Sequence, residues 1–275
     1  NNMKNKILRN IITSFLLVAT AFTFFGCHKA EEKSTTIKVG ASITPHSEIL
    51  YKAQEILADE GITLEVVEIE DSVTPNTGLV EGTLDANYFQ HQPYLDDFNS
   101  QNNTDLVSIA AVHYEPFGIY SSNISSLSEL ENGAQIAVPN NVTNEARALL
   151  LLEQEGVITL ADDVGILASV NDIVDNPLNI EFVEIDPSQL VNALPDVSAA
   201  VINGNYAIEG GLSVSDAIAV EADDGLAAQT YANILVTTSA NADNPALLRL
   251  AEVLQSDEIQ TFIEDTYDGA VVPLN

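Results

Sequence analysis

The chain has 275 residues, 46% of them hydrophobic, enough for one large folded body or two smaller ones. Nine Lys and Arg stand against 41 Asp and Glu, a formal net charge of −32. That balance argues against nucleic acid, whose phosphates need a basic face, and against docking on an anionic membrane through surface charge.

The N-terminal stretch has the order of a secretory signal. Asn1 and Asn2 precede the single methionine, Met3, which reads as the natural start. Lys4, Lys6 and Arg9 form a cationic start, residues 11–25 carry no charge, and Gly26 precedes Cys27. The apolar run is shorter than the roughly 18–20 residues of a spanning helix. Cys27 is the only cysteine, so a disulfide within one chain is excluded. Phe24-Phe25-Gly26-Cys27 resembles the bacterial lipoprotein processing site, which implies an acylated Cys27 as the mature N-terminus. That pattern prefers Leu and then a small residue where this chain has two Phe; an ordinary signal peptide with an incidental Cys is the alternative. The expected segments are a signal peptide over 1–27 and a polar, flexible tether over 28–35.

From residue 36 the pattern alternates between strand and helix. Residues 36–41 predict a strand. A helix follows to about Asp59 with Ile49, Leu50, Ala53, Ile56 and Leu57 on one face, closed by Gly61. A strand over 62–69 completes a strand–helix–strand unit, the signature of a mostly parallel sheet covered by helices. A short helix at 79–81, a strand at 84–89, a helix at 92–99 opened by Pro93 and a strand at 106–112 come next. Residues 113–120 (HYEPFGIY) are strand-like but interrupted by Pro116 and Gly118, a crossover from a first lobe to a second. Strands at 134–138 and 199–202 and helices at 187–194 and 207–212 build that second lobe. Residues 231–237 (YANILVT) read as the crossover back, and two amphipathic helices, 245–255 and 257–266, close the chain. The expected division is 36–113 plus 238–275 for lobe 1 and 114–237 for lobe 2.

Catalytic templates are missing: there is no G-x-S-x-G, H-E-x-x-H, G-x-G-x-x-G or Walker loop, and the acidic loops near Asp71 and Glu221 lack EF-hand spacing. What remains is a set of polar groups at strand ends, where open α/β sheets bind ligands. Tyr88, Phe89, His91, His113 and Tyr114 fall on one lobe. Asn144, Arg147, Asn203 and Asn205 fall on the other. Arg147 stands out because cations are scarce and because it follows the Asn/Thr-rich turn of PNNVTNEARALLLLE (139–153) into an aliphatic helix. One reading gives it and the free N–H groups of the helix start to a ligand carboxylate, with Asn oxygens and a nearby acid accepting from an ammonium. The other pairs it with Glu145 or Asp162 as a structural bridge. Asn203 and Asn205 also suit a turn around Gly204, and His91 and His113 suit hydrogen-bonded structural roles. Tyr88 and Phe89 alternate, so one of them belongs to the core.

The strings DANYFQHQPYL (85–95), NEARALLLL (144–152) and AAVINGNYA (199–207), with PHSE (45–48), VHYEP (112–116) and GAVVP (269–273), resemble the NlpA-type methionine-binding lipoproteins over about 36–273. The resemblance implies a lipid-anchored substrate-binding protein of an ABC importer, not an enzyme and without a cofactor. It implies an α/β, two-lobed periplasmic-binding-protein fold of type II-like form, with a hinge and the ligand in the cleft. It implies that Arg147 binds an amino-acid carboxylate, that Asn144, Asn203 and Asn205 contact the amino and carboxylate groups, and that Phe89, His91 and His113 line the side-chain pocket beside Tyr88. The implied ligand is methionine, L- or D-, or a close relative. The implied partners are an ABC permease with its ATPase and, through the lipid, a membrane of the cell envelope; a monomer is expected. The chain departs at Ser72, where the family usually has Tyr, which implies a wider or more polar tail pocket. A zinc-type metal-binding lipoprotein using His46, His91 and His113 with a carboxylate is the alternative reading.

Overall fold

The structure is a computed structural model that describes residues 35–222 and 226–274; the expected signal peptide, Cys27 and all but the last residue of the tether lie outside the described residues. The first α/β unit runs β1 (Thr35–Ala41), a turn at Ile43–Ser47, α1 (Glu48–Asp59), β2 (Ile62–Glu68), α2 (Thr74–Val80), β3 (Ala86–His91), α3 (Gln92–Asn102) and β4 (Leu106–Tyr114). The second runs β5 (Gly118–Tyr120), β6 (Gln135–Pro139), α4 (Val142–Gln154), β7 (Thr159–Leu160), β8 (Ile173–Asp175), β9 (Glu181–Ile185), α5 (Leu190–Ala193), β10 (Ala199–Ile202), α6 (Gly204–Glu209) and β11 (Ala219–Val220). After α7 (Leu226–Thr230) come β12 (Asn233–Thr238), α8 (Pro245–Leu254), α9 (Asp257–Tyr267) and β13 (Val272–Pro273).

Two main sheets result, in the orders β13-β4-β12-β3-β1-β2 and β11-β5-β10-β6-β9, with β7 and β8 as a separate pair. The strands β2, β1 and β3 are parallel, as are β9, β6 and β10; the strands on the other side of each sheet join antiparallel. Each sheet has its own apolar core. Ile49, Leu50, Ala53 and Leu57 of α1 pack on the first sheet with Leu247 and Leu250 of α8. Ile136, Val201, Leu149 and Leu152 join β6, β10 and α4 in the second. The i, i+4, i+8 spacing of Ile49, Ala53 and Leu57 sets which face of α1 turns inward. Burying each Leu or Ile fully contributes roughly 1.5–3 kcal/mol relative to exposure.

Three local differences from the sequence expectations bear on the site. The strand expected at 84–89 is β3 at 86–91, so His91 becomes the last strand residue and the cap of α3. The helix expected from 207 begins at Gly204. The strand expected as the crossover back, 231–237, is instead β12 in the middle of the first sheet, antiparallel to both β3 and β4. Both faces of β12 are buried (Ile234, Leu235 and Val236 are at most 3% exposed), as suits a strand inside a covered sheet. The chain therefore rejoins the first sheet before residue 233.

Candidate functional site

A cavity of about 50 Å³ lies where strand ends of both sheets meet. From the first sheet it receives Phe89, Gln90 and His91 of β3, Tyr94 of α3 and Asn233 of β12. From the second it receives Asn141, Asn144 and Arg147 around α4, and Asn203, Gly204, Asn205 and Tyr206 around α6. Ser72, Glu115 and Pro187 complete the lining. This is the place the open α/β architecture predicts, beyond the carboxyl ends of the parallel strands.

Arg147 sits in the second turn of α4 and is buried. Its Nε donates to Glu221 Oε1 at 2.8 Å and its Nη2 to Glu221 Oε2 at 2.6 Å, a bidentate pair of the strong kind. Nη2 also donates to the Glu115 carbonyl at 3.1 Å. The guanidinium carbon lies 4.1 Å from the Tyr231 ring centre and 4.8 Å from that of Phe117. The Tyr114 hydroxyl donates to Glu221 as well. Burial opposes the charge on Glu221, but the Arg147 hydrogen bonds and cation hold its carboxyl below the ordinary range. Arg147 is thus both an ion-paired residue and a cavity-lining one, and its acidic partner is Glu221 rather than Glu145 or Asp162.

His91 links the two sides. Its Nδ1 accepts from the Tyr94 N–H at 3.2 Å, capping α3, and its Nε2 donates to Asn144 Oδ1 at 2.9 Å. Asn203 Nδ2 donates to the same oxygen at 3.1 Å. Burial, followed by the Arg147 cation, pulls His91 down to about 4, so the ring is neutral at pH 7 with its hydrogen on Nε2. Both donors converge on Asn144 Oδ1, which fixes the amide so that its Nδ2 is the end left for the cavity. The same bond leaves Asn203 Oδ1 as a buried acceptor without a protein partner; Asn141 Oδ1, at the cap of α4, is another.

Of the expected residues, Phe89, His91, Asn144, Arg147, Asn203 and Asn205 are brought together on the cavity wall. Tyr88 and His113 are not. Both are wholly buried behind it, and the Tyr88 hydroxyl bonds His113 Nδ1. Tyr88 is the member of the alternating pair that joins the core, and β12 and β13 flank His113 on both edges of β4. His113 Nε2 then donates to Glu115 Oε1 at 2.6 Å. Tyr94, Tyr206, Gln90, Asn141 and Asn233 line the cavity without having been singled out. Tyr94 could have been found from its position three residues after His91, inside the H-Q-P-Y run. At Ser72 the Tyr94 hydroxyl donates to the backbone carbonyl at 2.7 Å, and the Tyr94 ring stands edge-on to Phe89 with 5.8 Å between centres. The Ser72 side of the cavity therefore keeps aromatic walls from Phe89 and Tyr94, and Tyr206 also belongs to the lining.

Among the described residues, the side chains grouped closely enough to share a metal ion are His46, His113 and Glu115, with ligand atoms within 4.8 Å of one another. His91 is not among them. His46 Nε2 bonds Asn233 Oδ1 at 2.8 Å and His113 Nε2 bonds Glu115, so the atoms that would face an ion already serve protein hydrogen bonds.

Two α/β lobes with a polar and aromatic cleft at their strand ends define a substrate-binding protein of the periplasmic-binding type. The sequence profile of the NlpA lipoprotein family matches residues 37–275, and the chain belongs to that family. A curated relative, the methionine-binding lipoprotein MetQ of Bacillus subtilis, is 40% identical over 98% of this chain and 100% of its own length. The solved structure of a nutrient-binding protein from Burkholderia cenocepacia bound to methionine is 40% identical. It covers 87% of this chain and 100% of that one, with a TM-score of 0.83. The structure of an ABC transporter periplasmic substrate-binding protein from Coxiella burnetii is 36% identical over 86% of this chain and 100% of that one, with a TM-score of 0.81.

Proposed function

We propose that this chain captures methionine, or a closely related small amino acid, and delivers it to an ABC importer. The observation that carries the reading is the meeting of three polar elements over one cavity: Arg147 and Asn144 from α4, Asn203 and Asn205 from the β10–α6 turn, and Phe89 and His91 from β3. Arg147 Nη1 and Asn144 Nδ2 are donors for a carboxylate, and Phe89, Tyr94 and Tyr206 supply an apolar wall for a thioether tail. Family membership and the relatives named for methionine support the same ligand. The role is binding without catalysis, in keeping with relatives named as binding proteins and with the absence of nucleophile and metal motifs from the sequence.

Membership of a lipoprotein family supports acylation at Cys27 and attachment to a membrane of the cell envelope, with the permease and its ATPase as partners of a monomeric binding protein. No helix among the described residues is long and apolar enough to cross a membrane. The two sheets are read as the two lobes, with the crossings at 115–117 and just before residue 233, and closure over the ligand as the state the permease recognises.

The test is calorimetry on protein stripped of bound small molecules, titrated with L-methionine, D-methionine and a panel of free amino acids. Micromolar or tighter binding of methionine, with weak binding of charged amino acids, is expected. Tight binding of zinc with no amino-acid heat would replace this reading by the metal-binding one.

A further inference from the structure

Outside the ligand cavity, the rim of the cleft gathers carboxylates from both α/β units. A groove of about 280 Å³ there is lined by Glu70 of the first unit and by Ser188, Asn192, Tyr206 and Glu209 of the second. Glu70 is exposed in the turn after β2. Glu209, also exposed, is the last residue of α6, the helix that begins at Gly204 on the cavity wall. Two further acids act across the same rim. Burial raises the Tyr94 hydroxyl of α3, and beyond it Asp97 and Asp71 of its own unit and Asp186 of the other raise it as well. Those aspartates on the two sides are occupied by their own turns. Asp71 Oδ1 accepts from the Val73 and Thr74 N–H groups at 2.8 and 2.7 Å, and Asp186 Oδ1 from the Ser188 N–H and hydroxyl at 2.9 and 2.7 Å. Glu70 and Glu209 have neither a side-chain hydrogen bond nor an ion pair among the described residues.

No cation serves this rim. Lys38, Lys52, Arg147 and Arg249 are the Lys and Arg of the described residues, and each is already paired. Lys38 meets Glu65, Lys52 meets Glu55 and Glu258, Arg147 meets Glu221, and Arg249 meets Glu60 and Glu252. The rim carboxylates are therefore left to one another. Burial, and after it the Glu70 charge, raises Glu209 above the ordinary carboxylate range, the response of one acid to another of like sign. The two units touch in this structure, His91 Nε2 donating to Asn144 Oδ1 between them. Like charges on facing rims are brought together by that closure and relieved by opening. A zwitterionic ligand has no net charge and leaves the repulsion in place.

We propose that Glu70 and Glu209 form a repulsive pair across the rim of the cleft, a built-in opposition to closure that shortens the residence of the bound ligand. This rests on the reading of the cavity as an amino-acid site that closes over its ligand, and it adds what pushes the closed form open again.

The experiment titrates L-methionine into wild-type protein, Glu70→Gln, Glu209→Gln, the double variant and Glu131→Gln, and follows release by stopped flow. Glu131 is an exposed acid just before β6, at the strand end opposite the cavity, and serves as the control for net charge alone. At about 10 mM salt each rim variant binds methionine about two- to fivefold tighter than wild type, through slower dissociation. At about 1 M salt, where the screening length falls from roughly 30 Å to roughly 3 Å, the difference disappears. The gain in the double variant falls well short of the product of the two single gains, because either change removes the pair. Glu131→Gln binds as wild type does. Unchanged affinity in both rim variants overturns the proposal, as does an equal gain in Glu131→Gln, a gain carried wholly by faster association, or gains that multiply in the double variant. Absence of binding by any free amino acid to wild-type protein removes the functional reading and this inference with it, an outcome separate from the others.

Discussion

Two carboxylates stand at this site, Glu115 buried in the cavity wall and Glu221 partly buried behind Arg147, and the protein treats them differently. Glu221 receives an arginine in bidentate contact, the Tyr114 hydroxyl and two aromatic faces stacked over its partner. Glu115 receives one imidazole hydrogen at short range, a second imidazole at 3.6 Å and a backbone N–H. The first is a bidentate pair with an arginine; the second is held by two imidazoles and a backbone amide. Scarcity of cations in the chain thus points to Arg147, a cavity-lining residue, but not to its acidic partner Glu221.

The largest effect expected from breaking this contrast is at Arg147. Arg147→Ala strands Glu221 in the interior and costs about 3–5 kcal/mol, read as a fall in Tm of roughly 6–20 °C. The pair Arg147→Met with Glu221→Leu removes both charges and recovers most of that loss in chemical denaturation, while methionine binding stays weak in both. Equal instability of the single and double variants would show that the aromatic stacking, rather than the ion pair, holds the site. The next effect is at Gly204. Gly204→Ala forces a methyl group against the Glu115 side chain and costs about 1–3 kcal/mol. Methionine affinity falls with it, whereas Gly82→Ala, in open space at positive φ, lowers Tm without touching affinity. The smallest effect concerns Glu145, which shares α4 with Arg147 but has no cation. Burial, and beyond it the neighbouring Glu184 carboxyl, raises Glu145 from 4.5 to about 7. A raised carboxyl binds more protons in the folded state, so its contribution to stability is lost as pH climbs from about 4.5 through about 7. Glu145→Gln removes that titration. Its Tm relative to wild type rises between pH 4.5 and pH 8, and a flat difference would assign the shift elsewhere.

Much of the fold and site was readable in the residues. Alternation of strand and helix patterns located both sheets, and the D-A-N-Y-F-Q-H and V-I-N-G-N-Y-A runs, with Asn144 and Arg147, placed six of the expected residues on the cavity. The misses have physical causes. The period of two shows that Tyr88 and Phe89 face opposite ways, but only the register of β3 against β1 and β12 decides which is inside. His113 ends a strand, as ligand-binding residues do, yet it is covered by strands that arrive roughly 120 and 160 residues later in the chain, a non-local pairing invisible to local pattern. Glu221 was one acid among 41, and nothing within 74 residues of Arg147 marks it as the partner.

His91 caps a helix that follows the first sheet with Nδ1 and holds Asn144, on a helix of the second, with Nε2. The pair of bonds requires the uncharged ring, since an imidazolium has no lone pair left to accept from the Tyr94 N–H. The two halves of the molecule are thus joined by a bond that outlasts protonation: near pH 4, where Nδ1 takes up the ring's second proton, the helix cap is lost while Nε2–H still donates to Asn144.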